Sequence, residues 1–401
     1  MLAATVRVTR DIDLAQECAQ DAFAQALSVW TADSLPARPG AWLTTVARRR
    51  ALDQLRRESV WRRSLPLLVD DEPAASAEDM VVDDPEMGDA AIPDDRLRLI
   101  CTCCHPTLAR EAQVALTLRL VCGLTTGEVA RAFLVTEPTM AARITRAKKK
   151  IHDARIPYRV PAAAELPARV DAVLDVVHLL FTTGHTAPAG ANLVRRDLVE
   201  RALDLARMLR LLLPGNADVA GLLALILLTD ARRETRTSAD GRLLLLEEQD
   251  RSQWDRHEIG EGVALVREAL QRRPPGRFAL QAAIAAVHAE APTWADTDWR
   301  EIAALYDLLA QVWPSPVVAL NRAVAMGIAD GPAAGLAALD ALRDEPQLAG
   351  YGYAAAARAD FLRRLGRSEE ARAAYEEALL LTENDVEREF LAGRLKEVSG
   401  G

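Results

Sequence analysis

The residues whose spacing most directly suggests chemistry lie between positions 136 and 151. Met140, Ile144, Ala147 and Ile151 recur at intervals of four, three and four, and Thr139, Arg143, Arg146 and Lys150 repeat those intervals one position earlier. On an α-helix the first set forms an apolar stripe and the second a basic stripe beside it. Thr136 is a good N-cap residue, and Pro138 falls in the first turn, where its missing N–H costs little. A shorter helix is expected over 126–133, just before a tight turn. A packed helix followed by one with a basic face fits the major groove of DNA, where the first turns of the second helix reach base edges. Arginine matches guanine edges, and lysines further along meet phosphates. The expected DNA contacts here are Thr139, Ala142, Arg143, Arg146, Lys148 and Lys150. An ordinary αα-hairpin with a solvated basic face would carry the same pattern.

A second basic segment spans Arg38 to Arg63 and holds eight arginines against Asp53 and Glu58. Arg49, Asp53, Arg56 and Arg57 share one face of a helix expected over about 41–57. Trp42 and Trp61 offer flat surfaces on which an unpaired base can stack, an interaction of ~1–3 kcal/mol per base. A solvated helix carrying two core tryptophans is the competing interpretation of this stretch alone.

Other chemistry is less well supported. Cys101, Cys103, Cys104 and His105 are too close along one helix to converge on a single zinc ion, which usually takes two separated ligand pairs; small buried side chains are expected. His178 is expected to be a core or groove residue. Glu247, Glu248, Asp250, Arg251, Asp255 and Arg256, with Asp230, Arg232 and Arg233 upstream, could do acid–base work. The same residue types build ion networks between stacked helices, and no nucleophile, phosphate loop or metal motif accompanies them.

The elements that must position these residues are almost all helical. Alanine and leucine dominate, aromatic residues make up 4% of the 401, and no alternating strand pattern stands out. From Leu14 to Trp30 apolar positions fall on one helical face, and Thr31 to Gly40 is a Pro- and Gly-rich loop. Charge is segmented: net +3 over 1–63, −11 over 64–95, +8 over 96–160 and −9 beyond. Two basic blocks around an acidic spacer suggest two polyanion-binding modules on one chain. Residues 64–95, with four prolines and no apolar period, cannot repay the entropy of ordering and are expected to be flexible. The longest nearly unbroken apolar stretch, Val219 to Leu228, is half the ~20 residues a membrane span needs. Five cysteines and an N-terminus without a secretory pattern fit a cytoplasmic protein. From Tyr353 through Gly366 to Leu381 the chain matches a tetratricopeptide (TPR) helix pair, and Gly331 marks a degenerate copy upstream.

In this order, and with the acidic spacer between them, the two basic segments resemble a bacterial RNA polymerase sigma factor of the extracytoplasmic-function group in the sigma-70 family. DIDLAQECAQDAFAQAL is similar to the region-2 helix that docks on the β′ clamp helices, with Asp13, Glu17, Gln20, Asp21 and Phe23 at its marked positions. PGAWLTTVARRRALDQLRR resembles the segment that binds the −10 element, which implies DNA contacts for Trp42, Arg48, Arg49, Asp53, Arg56 and Arg57. TTGEVARAFLVTEPTMAARITRAKKKI resembles the −35 reader. CTCCHPTLAREAQVALTLRLVCGLTT, LLTDARRETR, LLEEQDRSQWDR, AAIAAVHAEAP and PSPVVALNRAVA resemble the subgroup with a long TPR-like C-terminal extension.

The resemblance implies an all-α chain. Region 2 would cover 1–63, N-terminally short because the chain starts inside its first helix. A flexible linker would follow over 64–95, then the region-4 helix-turn-helix domain over 96–157 and the TPR-like extension over 169–401. Implied partners are core RNA polymerase, through the β′ clamp helices and β flap, and promoter DNA. A small DGPF/YCII-type protein is a further candidate partner, and the extension is a candidate internal regulator. No membrane, cofactor, metal or catalysis is implied. The alternative is a helix-turn-helix activator with a TPR-like interaction domain that never joins core polymerase; it would not need the 13–30 helix with a tryptophan-bearing basic helix after it.

Overall fold

The computed structural model describes residues 1–31, 35–64, 95–133, 135–156, 158 and 167–399, with the side chains of 58–64, 95–97 and 167–168 excepted. The expected flexible linker lies, apart from its two end residues, outside them, as does the side chain of Trp61. The described residues form eighteen α-helices, two short 3-10 turns and one pair of two-residue strands. The chain divides into two compact units, one of Met1–Val129 with Glu137–Val173 and one of Ala130–Thr136 with Leu174–Gly401.

The first unit is built on α1 (Leu2–Thr9), α2 (Ile12–Val29), α3 (Pro39–Ser64), α4 (Asp95–Cys103), α5 (Arg110–Leu120) and α7 (Glu137–Asp153), with the first residues of α6 (Thr126–Ala132). Arg10 adopts a left-handed conformation that ends α1, and the Asp11 carboxylate then caps α2 by accepting from the N–H groups of Asp13 and Leu14 at 2.8 and 3.0 Å. Small residues set the spacing between α2 and α3: Ala22 and Ala26 meet Leu43 and Ala47, with Trp30 and Trp42 at the edge. The helix expected to end near 57 continues to Ser64, because nothing before Pro66 breaks it. Cys101, Cys103, Cys104 and Cys122 are all buried thiols in the α4–α5 region. Burial pushes Cys101 up to about 11 and Cys104 up to about 12, so these are inert packing groups. Among the described residues no cluster of His, Cys, Asp and Glu is arranged to hold a metal ion.

The second unit centres on α10 (Ala217–Asp230), which is apolar all round and is buried by α9 (Arg196–Leu212), α11 (Arg256–Ala269) and α12 (Arg277–Glu290). Before it runs α8 (Pro167–His185). After it, α13 (Trp299–Val312), α14 (Pro316–Ala329), α15 (Pro332–Asp340), α16 (Gly352–Arg364), α17 (Ser368–Leu381) and α18 (Asp385–Ser399) each pack on the next, as in a helical-repeat array. α16 and α17 are the expected repeat pair: Ala359, Ala371, Tyr375 and Ala378 are buried between them, and Gly366 turns the chain at φ +73°. In the degenerate copy, Gly327 and Gly335 leave room for the Phe361 ring, and a methyl at Gly327 would fall 2.2 Å from it. The strands β1 (Ala189–Gly190) and β2 (Glu383–Asn384) run parallel. Buried Asn384 donates to the carbonyls of Ala187 and Asn192 at 3.0 and 2.9 Å, closing this unit on itself.

Candidate nucleic-acid and partner-binding surfaces

Both faces expected of α7 are present. Met140, Ile144, Ala147 and Ile151 are buried, whereas Thr139, Ala142, Arg146 and Lys150 are exposed and Arg143 is half-buried. The preceding α6 is opened by a capping box: Thr125 N–H and Oγ1 donate to the Glu128 carboxylate at 2.6 and 2.8 Å, and Glu128 N–H returns a bond to Thr125 Oγ1 at 3.2 Å. The outer face of α7 is open along Thr139, Ala142, Arg146 and Lys150. Positive charge on a fixed helix face is what phosphate neutralisation and major-groove entry require.

On α3, Arg48, Arg49, Asp53, Arg56 and Arg57 are all exposed along the helix. Trp42 is half-buried, its ring 5.1 Å from that of Trp30 and tilted by 58°. It is therefore anchored in the α2–α3 core with only part of its surface open. Arg50, on the same helix, turns back to bond Asp21 at 2.7 Å.

On α2, Asp13, Glu17 and Gln20 are exposed, Asp21 is partly covered by Arg50, and Phe23 is 51% exposed. One turn on, Leu27 is 86% exposed and extends the apolar surface begun by Phe23. The sequence pattern places Leu27 with Ala22 and Ala26 on the apolar stripe of the helix; the structure buries the alanines and leaves Leu27 open beside Phe23. An exposed apolar strip rimmed by carboxylates and amides has the composition of a protein-docking surface.

One contact joins two of these surfaces. Lys148 Nζ, on α7, donates to Asp13 Oδ1 at 3.0 Å and also reaches Gln16 Oε1 on α2. A shallow groove beside this contact is lined by Asp13, Thr145, Lys148, Lys149, His152 and Asp153. An expected DNA contact is thus paired with an expected polymerase contact.

In the second unit, the residues read as an ion network are arranged differently. Asp230 and Arg233 form a buried pair. Asp250 caps the turn at Ser252, and Asp255 caps α11 through the N–H groups of His257 and Glu258. Arg251, by contrast, donates to the carbonyls of His288 and Ala291 at 2.8 Å each and to Thr297 Oγ1 at 3.1 Å. The expected carboxylate partners of Arg251 are replaced by the terminal carbonyls of α12, which have no acceptor duty inside the helix. His178 packs its edge on Phe278, and burial lowers it to about 4.

These features define a helical DNA-binding protein that couples a helix-turn-helix unit to a second basic helical module. The comparisons with known proteins make the class specific. Residues 2–60 match sigma-70 region 2, residues 99–151 match sigma-70 region 4, and residues 169–270 match a family of unknown function (DUF6596). Over 398 residues the chain is 40% identical to an uncharacterised protein of Rhizobium meliloti (strain 1021), with 98% of this chain and 92% of that protein covered. No solved structure matches. The chain belongs to the sigma-70 family and carries a C-terminal extension. Its region 2 and region 4 give it the role of a sigma factor, binding core RNA polymerase and promoter DNA in transcription initiation. Among the described residues no helix is long and apolar enough to cross a membrane.

Proposed function

We propose that this sigma factor docks on the β′ clamp helices through Asp13, Glu17, Gln20, Asp21 and Phe23, with Leu27 extending the contact. It reads the −35 element with Thr139, Ala142, Arg143, Arg146, Lys148 and Lys150. Trp42, Arg48, Arg49, Asp53, Arg56 and Arg57 serve the −10 element, and the extension regulates the whole. Region 2 covers 1–63, the linker 64–95, region 4 96–157 and the extension 169–401. The β flap is the further polymerase contact, and a small DGPF/YCII-type protein is the candidate partner of the extension.

The observation that carries this function is the division of α7 into a buried apolar stripe and an open basic face, next to an α2 that exposes Phe23 and Leu27. In the structure the Lys148–Asp13 contact ties α7 to α2. On a promoter the two elements lie roughly two and a half helical turns apart, about 85 Å at ~34 Å per turn. The thirty residues between Ser64 and Asp95 can span at most ~100 Å when extended, enough for the modules to part.

The test is transcription in vitro with purified core polymerase over a promoter library, comparing the full chain with residues 1–165. Promoter-specific starts that depend on this chain, altered by loss of the extension, are expected. A chain that binds DNA but never associates with core polymerase is instead a helix-turn-helix activator.

A further inference from the structure

In the second unit, three arginines and two histidines from four separate segments converge. Arg236 donates to the carbonyl of His185, the last residue of α8, and to Thr186 Oγ1 at 3.0 Å. Arg251 caps the end of α12 through the carbonyls of His288 and Ala291, and lies 4.9 Å from the Trp254 ring. Trp254 Nε1 donates to Thr235 Oγ1 at 2.9 Å, and Thr235 in turn bonds the Arg232 carbonyl, so Arg251 and Trp254 sit against the segment that carries Arg232 and Arg236. Both act electrostatically on Arg232. Among the described residues the Arg232 guanidinium has no carboxylate or carbonyl partner, and it is only half-buried, so it keeps access to solvent. His185 is 7% exposed and neither of its ring nitrogens has a partner; buried Nδ1 of His288 has none either.

Carboxylates answer two of the three cations: Glu387, which accepts the Tyr353 hydroxyl, faces Arg236, and Asp296 faces Arg251, while Asp230 is held by Arg233. None acts on Arg232. Each helix C-terminus supplies about half a negative charge. These ends add to the carboxylates at Arg236 and Arg251, so the cation left unanswered is Arg232. Burial and the surrounding arginines also keep His185 and His288 neutral, the latter down to about 4. A neutral imidazole can still donate one N–H.

We propose that Arg232, Arg236 and Arg251, with His185 and His288, form a binding site for the phosphate group of a small molecule. A phosphate carries ~1.5 to 2 negative charges at neutral pH and accepts several hydrogen bonds from different directions, which suits the Arg232 guanidinium and the unpartnered imidazole nitrogens of His185 and His288 better than a planar carboxylate does. Arg232 is the arm that closes on the ligand, while the two capping arginines and the histidines are already in place. The site rests on the reading of the extension as a regulator and supplies its input: a phosphorylated metabolite that stiffens the unit in which it binds.

The test uses the full chain with inorganic phosphate as the probe, at constant ionic strength, followed by calorimetry and by histidine ring nitrogen NMR. Saturable binding that shifts the His185 ring signals is expected, with Arg232→Met binding at least tenfold more weakly. Because Arg232 has no partner to lose, that variant is also expected to melt no lower than the wild type without phosphate. Equal phosphate effects on both proteins would reduce the effect to general salt action and overturn the site. Acetate binding as tightly as phosphate would overturn the phosphate assignment. Arg232→Lys, which keeps the charge, should recover part of the affinity and separates loss of binding from loss of folding. A negative result here leaves the transcription comparison of full and shortened chains untouched, and unchanged transcription on shortening would remove the regulator role without removing the site.

Discussion

Arg146 is the side chain on which −35 recognition can be weighed most directly, since it is exposed on the outer face of α7. If it reads a base edge, Arg146→Ala should cost ~1–3 kcal/mol and relax preference at one promoter position. If it meets a phosphate, binding should weaken evenly across sequences, and the salt dependence should fall by about one counterion. Competition binding to −35 variants at two salt concentrations separates these outcomes; polymerase association should be unchanged in either case. In the second unit, burial, Asp230 and Asp255 raise the Glu258 carboxyl to about 7. Because its folded pKa lies above the unfolded one, Glu258 favours the native state most at acid pH. That contribution is lost as pH rises from the ordinary carboxylate range through about 7. Glu258→Gln should therefore flatten the fall in melting temperature over that window and raise it at pH 8; a parallel pH profile would show that Glu258 is not the titrating group.

At the scale of elements, α7 was legible because its two stripes are local and its period is fixed by helical geometry. The α16–α17 pair was legible for the same reason, its small residues falling where two helices meet. The length of α3 was not: its last two turns carry no periodic apolar signal, yet no residue breaks them. Nor were the partners of Arg251 legible, since they are backbone carbonyls of a helix that ends about forty residues later in the chain. The cluster around Arg232 draws on segments near 185, 232, 251 and 288, a coincidence that only the fold supplies. Two element-level expectations follow from packing. Lys148→Glu should repel Asp13 and lengthen the distance between labels on α2 and α7 measured by energy transfer; an unchanged distance would mean that this bridge, worth ~0.2–1 kcal/mol at the surface, does not hold the modules together. Gly327→Ala would push a methyl into the Phe361 ring and should cost ~1–3 kcal/mol of unfolding free energy in denaturant titration, with Phe361→Leu recovering part of it.

At the scale of the whole molecule, the segmented charge explains how an acidic chain of net −9 can serve DNA: its net positive charge lies in the two sigma regions, where basic residues outnumber acidic ones. Raising ionic strength should weaken promoter binding steeply, and filter binding across a salt series reads this as a linear fall of log affinity with log salt. The link from Asn384 back to Ala187 has a different consequence. It joins positions 197 residues apart, so no part of it exists while the ribosome is still making the intervening helices. Contacts of such high sequence separation are entropically slow to close. A nascent chain will therefore present α8 and α9 without their terminal clasp until synthesis is nearly complete, and a premature stop a few codons before Asn384 releases a protein whose two sigma regions are entire while its extension is unlatched.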